Sequence, residues 1–436
     1  MPTDSKKPSR LLTLSWILYD FANTAYSMNV VTFYFPVWIV IELQQSDVIV
    51  SAANSLSMIL VALTLPVFGD WADRKGRRIR SLLFFTTICI AGTALLGLFG
   101  GGSRSLSVLI PTVILIYVLT NYCYQGGLVF YNALMPAVST DRTLGRVSGY
   151  GVALGYLGTI VGLMVAGFFV EGHFYGMTVP GIKGGGTTAA FLPTAAIFFI
   201  FAVPIFIFVK EPPPSQPGAP WSVGRSYRKI WRTLRDTGKY PGLVRFLVAK
   251  LLYEDSIQTI IIYMVVYTQA VMGFSRSQST QFLILITPSA ILGSALCGIL
   301  VDHYGAKKTL STVILSWVMV LALIVATHHQ LLFWILGALV GALLGATWTS
   351  ARPLLISLVP REMLGEFFGL YALSGKVAAI TGPLIWSTVT YILSPHGDVV
   401  KYKSAIAVLA VIMLLGYLIL LKVPDKHRAM KQMQSR

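Results

Sequence analysis

Twelve long apolar segments divide the 436-residue chain, and they limit its possible folds more than any other feature. Each is long enough to cross the ~30 Å hydrocarbon core of a bilayer as an α-helix. The chain is 55% hydrophobic and only 12% charged, whereas a soluble domain carries about twice that charge. These segments predict an all-α membrane protein with twelve transmembrane helices, at roughly 11–42, 48–69, 79–99, 106–138, 146–170, 188–209, 243–272, 279–301, 308–327, 330–359, 365–393 and 402–422.

The basic residues are distributed unevenly about these segments. If both termini are cytoplasmic, 26 of the 34 Lys and Arg lie in cytoplasmic segments, five in outer loops and three within the membrane. This asymmetry is the positive-inside rule, so the net charge of +17 reflects topology and predicts no nucleic-acid partner. The chain contains no Asn-X-Ser/Thr sequon, which favours a bacterial inner membrane, and we expect both termini to be cytoplasmic.

The second half of the chain repeats short patterns of the first half in the same order. Tyr253-Glu254 in the seventh segment echoes Tyr19-Asp20 in the first, and 298–308 is a weaker copy of 69–78. Leu364-Gly-Glu-Phe-Phe-Gly369 opens the eleventh segment as Leu144-Gly-Arg-Val-Ser-Gly149 opens the fifth. Parallel repeats of this kind predict two six-helix bundles, 1–210 and 243–436, joined by a cytoplasmic linker at 211–242.

The linker contains an amphipathic stretch at 221–235. Val223, Tyr227, Ile230 and Leu234 form an apolar stripe, and five Lys and Arg residues form a basic side. This pattern predicts an interfacial helix that lies on the anionic inner leaflet of the membrane. Binding of a partner protein is the alternative.

A glycine- and arginine-rich loop follows the second segment. Its spacing, G-x-x-x-D-R-x-G-R-R, resembles the inner loop of the major facilitator superfamily. Glycines let helix ends approach closely, while an aspartate can cap a neighbouring helix and arginines can bridge to acids. We predict that this loop and its weaker copy form a cytoplasmic gate that stabilises the outward-open state. The gate residues are Gly69, Asp73, Arg74, Gly76, Arg77, Arg78 and, in the copy, Asp302.

Asp20 lies near the predicted bilayer midplane, roughly 12–14 Å along the first helix. A carboxylate at that depth costs at least ~2.5–3.5 kcal/mol and normally faces a bundle interior or an aqueous cavity. Asn23 shares its helical face, which indicates the wall of a transport path. A structural clamp between helices is the alternative. The fourth segment adds Gln125, Tyr131 and Asn132 as further candidate polar residues.

Three acids and three bases lie well inside the membrane: Asp20, Glu254 and Asp255, and Lys250, Arg352 and Lys376. Buried charges require compensation, and Lys250 and Glu254 are spaced to pair on one helical face. A structural role and a functional role are the two interpretations of that pair. The planar guanidinium of Arg352 suits a carboxylate of the protein or of a solute. The candidate residues for coupling transport to an ion are Asp20, Glu254, Asp255 and Lys250.

Several segments resemble a specific branch of the major facilitator superfamily. SWILYDFANTAY, YNALMP, GRVSGYGVALGYLG and EFFGLYALSGKVAAITGP are similar to the vacuole-effluxer-like family. The resemblance implies solute export, with amino acids as the suggested substrates. It implies family-typical positions at Tyr19, Asp20, Asn23, Tyr131, Asn132, Arg352, Gly375 and Lys376. Ser256 and Trp348 depart from the family pattern and put the substrate in question.

Together these features predict a secondary active transporter that moves a small polar or zwitterionic, amino-acid-like solute by alternating access, with export and proton coupling. The expected solute-binding residues are Tyr19, Asp20, Asn23, Gln125, Tyr131, Asn132, Trp348, Arg352 and Lys376. Catalytic motifs and Cys/His clusters are absent from the sequence, so we expect no enzyme activity, metal or cofactor. We expect a monomer. Efflux of amphipathic cations and a non-transporting scaffold or sensor remain alternatives.

Overall fold

A computed structural model describes residues 8–100, 105–174, 177–178, 184–214, 221–235, 240 and 242–425. Parts of the predicted linker, at 215–220, 236–239 and 241, lie outside these residues. The described chain is almost entirely helical. The first half contains α1 (Arg10–Tyr26), α2 (Phe35–Val37), α3 (Asp47–Lys75), α4 (Arg78–Gly100), α5 (Leu106–Ala133), α6 (Leu144–Glu171) and α7 (Phe191–Phe208). The second contains α8 (Val223–Arg235), α9 (Leu243–Ala270), α10 (Arg276–Tyr304), α11 (Ala306–Ala326), α12 (Gln330–Leu358), α13 (Leu364–Ile392) and α14 (Asp398–Leu421).

Eleven helical segments within the described residues are long and apolar enough to cross a membrane. The first runs over Arg10–Glu42 and contains α1, α2 and two π-helical stretches, Ser27–Tyr34 and Trp38–Glu42. The seventh predicted span, α9, is not among these eleven. It has 28 residues but contains Lys250, Glu254 and Asp255, which lower its hydropathy. With α9, the long helices match the predicted twelve, and the all-α membrane fold is confirmed. Between α6 and α7, His173–Phe174 (β1) and Met177–Thr178 (β2) form a short antiparallel pair.

The packing of helices repeats between the two halves. In the first half α1 packs on α7, α3 and α4 pack on α5, and α4 packs on α7. Each pair has its counterpart in the second half: α9 with α14, α10 and α11 with α12, and α11 with α14. This correspondence supports the parallel repeat that the sequence predicts.

The glycines of α6 allow close approach of other helices. A Cβ added at Gly155 would lie 2.7 Å from Thr24 Oγ1, and one at Gly162 would lie 3.0 Å from Ala25 Cβ, both on α1. Near the start of α6, a Cβ at Gly149 would lie 2.5 Å from the Ser294 carbonyl oxygen of α10. Small residues in membrane helices commonly serve this purpose, because they let backbones come together.

The chain forms two compact units. The first contains Met1–Thr140 and Leu154–Trp221, and the second contains Asp141–Ala153 and Ser222–Arg436. The start of α6 therefore groups with the second unit, whereas the sequence predicts it in the first bundle. The predicted interfacial helix forms as α8 and groups with the second unit. The side chains of Ile230 and Leu234, part of its predicted apolar stripe, lie outside the described set.

Candidate transport site

An aromatic stack is buried in the first unit. The Tyr131 ring stacks on Trp16 at 4.3 Å and on Tyr19 at 5.0 Å between ring centroids. Trp16 Nε1 also donates a hydrogen bond to the Tyr131 carbonyl oxygen at 2.9 Å. The Tyr19 hydroxyl lies 2.7 Å from Thr86 Oγ1. Two predicted solute-binding tyrosines therefore pack inside the unit and join α1 to α4 and α5.

Four other candidate residues of the first unit are buried: Asp20, Asn23, Gln125 and Asn132. Asn23 Oδ1 and Asn132 Oδ1 accept no hydrogen bond from the residues that the structure describes. An unpaired buried amide oxygen is costly, and such atoms often mark a position where a ligand or water supplies the donor. The first unit therefore contains two buried amide oxygens without a donor among the described residues.

A charged cluster lies inside the second unit. Lys250 Nζ and the Glu254 carboxylate form a buried ion pair on α9, as their spacing predicts. Lys250 Nζ also lies 3.9 Å from the centroid of the Tyr371 ring on α13, a cation–π contact. Gly375 makes room for the pair, because an added Cβ would lie 2.6 Å from Glu254 Oε2.

Two further cations lie near this cluster. Lys376 on α13 is within electrostatic reach of both Glu254 and Lys250. Arg352 on α12 is within electrostatic reach of Tyr371. Trp348 is half-buried one turn before Arg352 on the same helix. Among the described residues, the Glu254 carboxylate thus has two lysine side chains in its surroundings, Lys250 and Lys376.

Asp255 has surroundings quite different from those of its neighbour Glu254. Its Oδ1 accepts a hydrogen bond from Thr381 Oγ1 on α13. At the same level Gly382 approaches α9 closely, since an added Cβ would lie 2.7 Å from the Asp255 carbonyl oxygen. Asp255 therefore joins α9 to α13.

The arginine-rich loop after α3 makes its described contacts within the first unit. Asp73 Oδ1 accepts a hydrogen bond from Arg78 Nε at 2.6 Å, and both side chains are buried. Arg74 pairs with Asp70 at 3.0 Å, and Arg77 lies 5.9 Å from the centroid of the Trp71 ring. Gly76 ends α3 with a positive φ of 60°, which glycine adopts without strain. The cap of α4 comes from Glu211, whose carboxylate accepts hydrogen bonds from the first backbone N–H groups of that helix.

The weaker copy of this loop makes the helix cap that the sequence analysis assigned to Asp73. The Asp302 carboxylate at the end of α10 accepts hydrogen bonds from the backbone N–H groups of Gly145 (2.7 Å) and Arg146 (3.2 Å). Arg146 Nε also lies 2.9 Å from Asp302 Oδ2. Asp302 thus supplies an acidic cap to the start of α6. A gating role for either loop stays a prediction.

Sequence reasoning missed three residues of these networks. Tyr371 and Thr381 lie on α13, whereas the charges that they contact lie on α9, so no sequence spacing marks them. Glu366 forms a 2.6 Å ion pair with Lys229 of α8. Glu366 does have a signal in the sequence, because it is the acidic residue of the α13 opening that echoes the opening of α6.

The fold and the similarity to known proteins define a membrane transporter of the major facilitator type. The model of the family described as "Vacuole effluxer Atg22 like" matches residues 41–434, and the chain belongs to that family. It is similar to an uncharacterized MFS-type transporter, YxiO, of Bacillus subtilis (strain 168), with 28% identity over 94% of each chain. Autophagy-related protein 22 of Pichia angusta is 25% identical over 43% of this chain and 40% of its own length.

Among solved structures, the chain resembles a bacterial homologue of the iron transporter ferroportin in the outward-facing state. The TM-score is 0.71 at 15% identity, over 94% of this chain and 98% of the other. This likeness confirms the fold and carries no information about the solute.

Proposed function

We propose that this protein is a secondary active transporter that exports a small zwitterionic, amino-acid-like solute by alternating access, with proton coupling, across a bacterial inner membrane. Both termini would be cytoplasmic. The charged cluster of Lys250, Glu254 and Lys376 carries the proposal. Such a group inside a membrane protein is expensive and usually marks a path for a solute or an ion.

The chemistry of the two units supports a zwitterion. The first unit has buried amide oxygens at Asn23 and Asn132 that accept no hydrogen bond from described residues, and these suit an ammonium donor. The second unit has Arg352 and Lys376, whose charges suit a carboxylate. An amino acid presents both groups. In contrast, efflux of organic cations would need an excess of acids, and among the described residues two lysines surround the one acid Glu254.

Glu254 is the better candidate for proton coupling, and Asp255 is the weaker one. Glu254 lies among Lys250, Lys376 and Tyr371, so a change in its charge would be felt by the groups proposed to bind the solute carboxylate. Asp255 instead accepts a hydrogen bond from Thr381 and joins two helices. Neutralising the two neighbouring acids separately therefore makes a matched pair of variants.

The test uses purified protein in proteoliposomes, with counterflow and pH-driven accumulation measured for a panel of amino acids and organic cations. We expect counterflow with at least one amino acid. Glu254→Gln should abolish pH-driven accumulation and keep counterflow, while Asp255→Asn should keep both. Counterflow with organic cations alone would contradict the zwitterion, and absence of counterflow across the panel would contradict transport of this solute class.

A purely structural role of the Lys250–Glu254 pair gives a different result. Removing one partner leaves the other charge buried and costs about 3–5 kcal/mol, and removing both restores stability. If the double variant Lys250→Met/Glu254→Gln regained both stability and full pH-driven accumulation, Glu254 would not be the coupling acid.

A further inference from the structure

The amphipathic helix α8 is attached to the start of transmembrane helix α13 by a partly buried ion pair. Lys229 Nζ lies 2.6 Å from Glu366 Oε2, and the Glu366 side chain is fully buried while that of Lys229 is 24% exposed. Ser226, on the same side of α8, is also buried. A buried carboxylate requires compensation, so the position of α8 is tied to the first turn of α13.

A second contact strengthens this attachment beyond the end of α8. The Tyr240 ring packs edge-on against Phe367 with centroids 5.0 Å apart. The Tyr240 hydroxyl donates a hydrogen bond to Met363 Sδ at 3.4 Å. Residues on both sides of Glu366 are therefore held by the segment that contains α8, and a movement of α8 would be transmitted to α13.

The rest of the α8 surface has two other faces. At ~100° per residue, Val223, Tyr227 and Trp231 lie on one side, and their side chains are 49%, 44% and 68% exposed. Arg228, Arg232 and Arg235 lie on another side and are also exposed. The helix contains no acidic residue. An exposed aromatic face next to an unbroken basic face is the pattern of a helix at an anionic bilayer surface, where the aromatic rings enter the interface.

We propose that α8 binds anionic lipid headgroups and transmits their presence to α13 through the Lys229–Glu366 ion pair. Charge complementarity identifies the occupant as lipid, because the aromatic face suits the boundary of the hydrocarbon and the arginines suit phosphate. The consequence reaches the transport site, since α13 also carries Tyr371, Gly375 and Lys376. This inference does not depend on the identity of the solute.

Hydrogen–deuterium exchange tests both parts of the proposal without any solute. The full-length protein is placed in nanodiscs of phosphatidylcholine, alone or mixed with phosphatidylglycerol. We expect the anionic lipid to slow exchange in 223–235 and to change exchange in 364–369. Each arginine near an anionic surface strengthens binding to that surface about fivefold. The three arginines together should strengthen the binding of α8 to the anionic bilayer on the order of a hundredfold.

Three variants separate the binding of lipid by α8 from the transmission of that binding to α13. Replacing Arg228, Arg232 and Arg235 by Gln should remove the lipid dependence at both segments. A control that removes the same charge elsewhere, with exposed Lys75, Arg80 and Lys308 changed to Gln, should keep it. Lys229→Gln should leave the lipid response in α8 and abolish it in 364–369.

Other results would overturn the proposal. Identical exchange of the unmodified protein in the two lipid mixtures would exclude the lipid partner and favour a protein partner for α8. If the control triple variant lost the lipid dependence of exchange to the same extent, the cause would be the net charge of the protein and not the arginines of α8. A response in 364–369 that survives Lys229→Gln would exclude the ion pair as the connection. If Lys229→Gln unfolds α8, Glu366→Gln tests the same connection from the other side.

Discussion

Removing the Asp302 carboxylate should release the start of α6. In the structure this carboxylate accepts two backbone hydrogen bonds and one from Arg146 Nε. The loss of a helix N-cap costs about 0.5–2 kcal/mol. The Arg146 guanidinium is 50% exposed, so its ion pair adds only ~0.2–1 kcal/mol. The Asp302→Ala variant should therefore lose about 1–3 kcal/mol of local stability at this contact.

The measurement is hydrogen–deuterium exchange of peptides that cover 144–150. A loss of about 1–3 kcal/mol corresponds to exchange roughly 5- to 150-fold faster, since each 1.4 kcal/mol is a factor of ten. Arg146→Gln removes the side-chain pair and leaves the backbone cap, so its effect should be about fivefold at most. Asp73→Ala is the control, because it removes the equivalent carboxylate of the first loop, which pairs with Arg78.

Two results would refute this reasoning. Unchanged exchange in 144–150 of the Asp302→Ala variant would mean that the carboxylate does not hold the start of α6. An effect of Arg146→Gln as large as that of Asp302→Ala would mean that the ion pair, and not the backbone cap, carries the contact.

Two further predictions concern packing. Gly375→Ala should push a methyl group against the Glu254 carboxylate and cost about 1–3 kcal/mol, lowering the thermal unfolding temperature in detergent. Gly224→Ala on α8 is the control, because an added Cβ there meets nothing within 4 Å, and an equal loss in both variants would contradict the steric explanation. Asn29→Leu should cost about 1–3 kcal/mol by the same assay, since the fully buried Asn29 side chain donates to a carbonyl oxygen of α6 and a hydroxyl of α7. An unchanged unfolding temperature for Asn29→Leu would show that these hydrogen bonds add little to stability.

The sequence by itself determined the elements of this protein. Length and hydropathy are properties of contiguous residues, so the membrane spans and the helix in the linker were predictable. The repeated patterns around Asp20 and Glu254 also indicated two similar halves, and the helix pairs follow that repeat. The Lys250–Glu254 pair was predictable for the same reason, because its two residues are one helical turn apart.

The tertiary structure alone decided which distant groups meet. Asp73 has the stronger motif, yet Asp302 caps α6, because the end of α10 lies against the start of that helix. Glu254 and Asp255 are adjacent in sequence, yet one lies among cations and the other holds Thr381. Successive residues of a helix point ~100° apart, so neighbours in sequence face different helices. Contacts between residues of different helices depend on how whole helices pack, and local sequence patterns do not encode that packing.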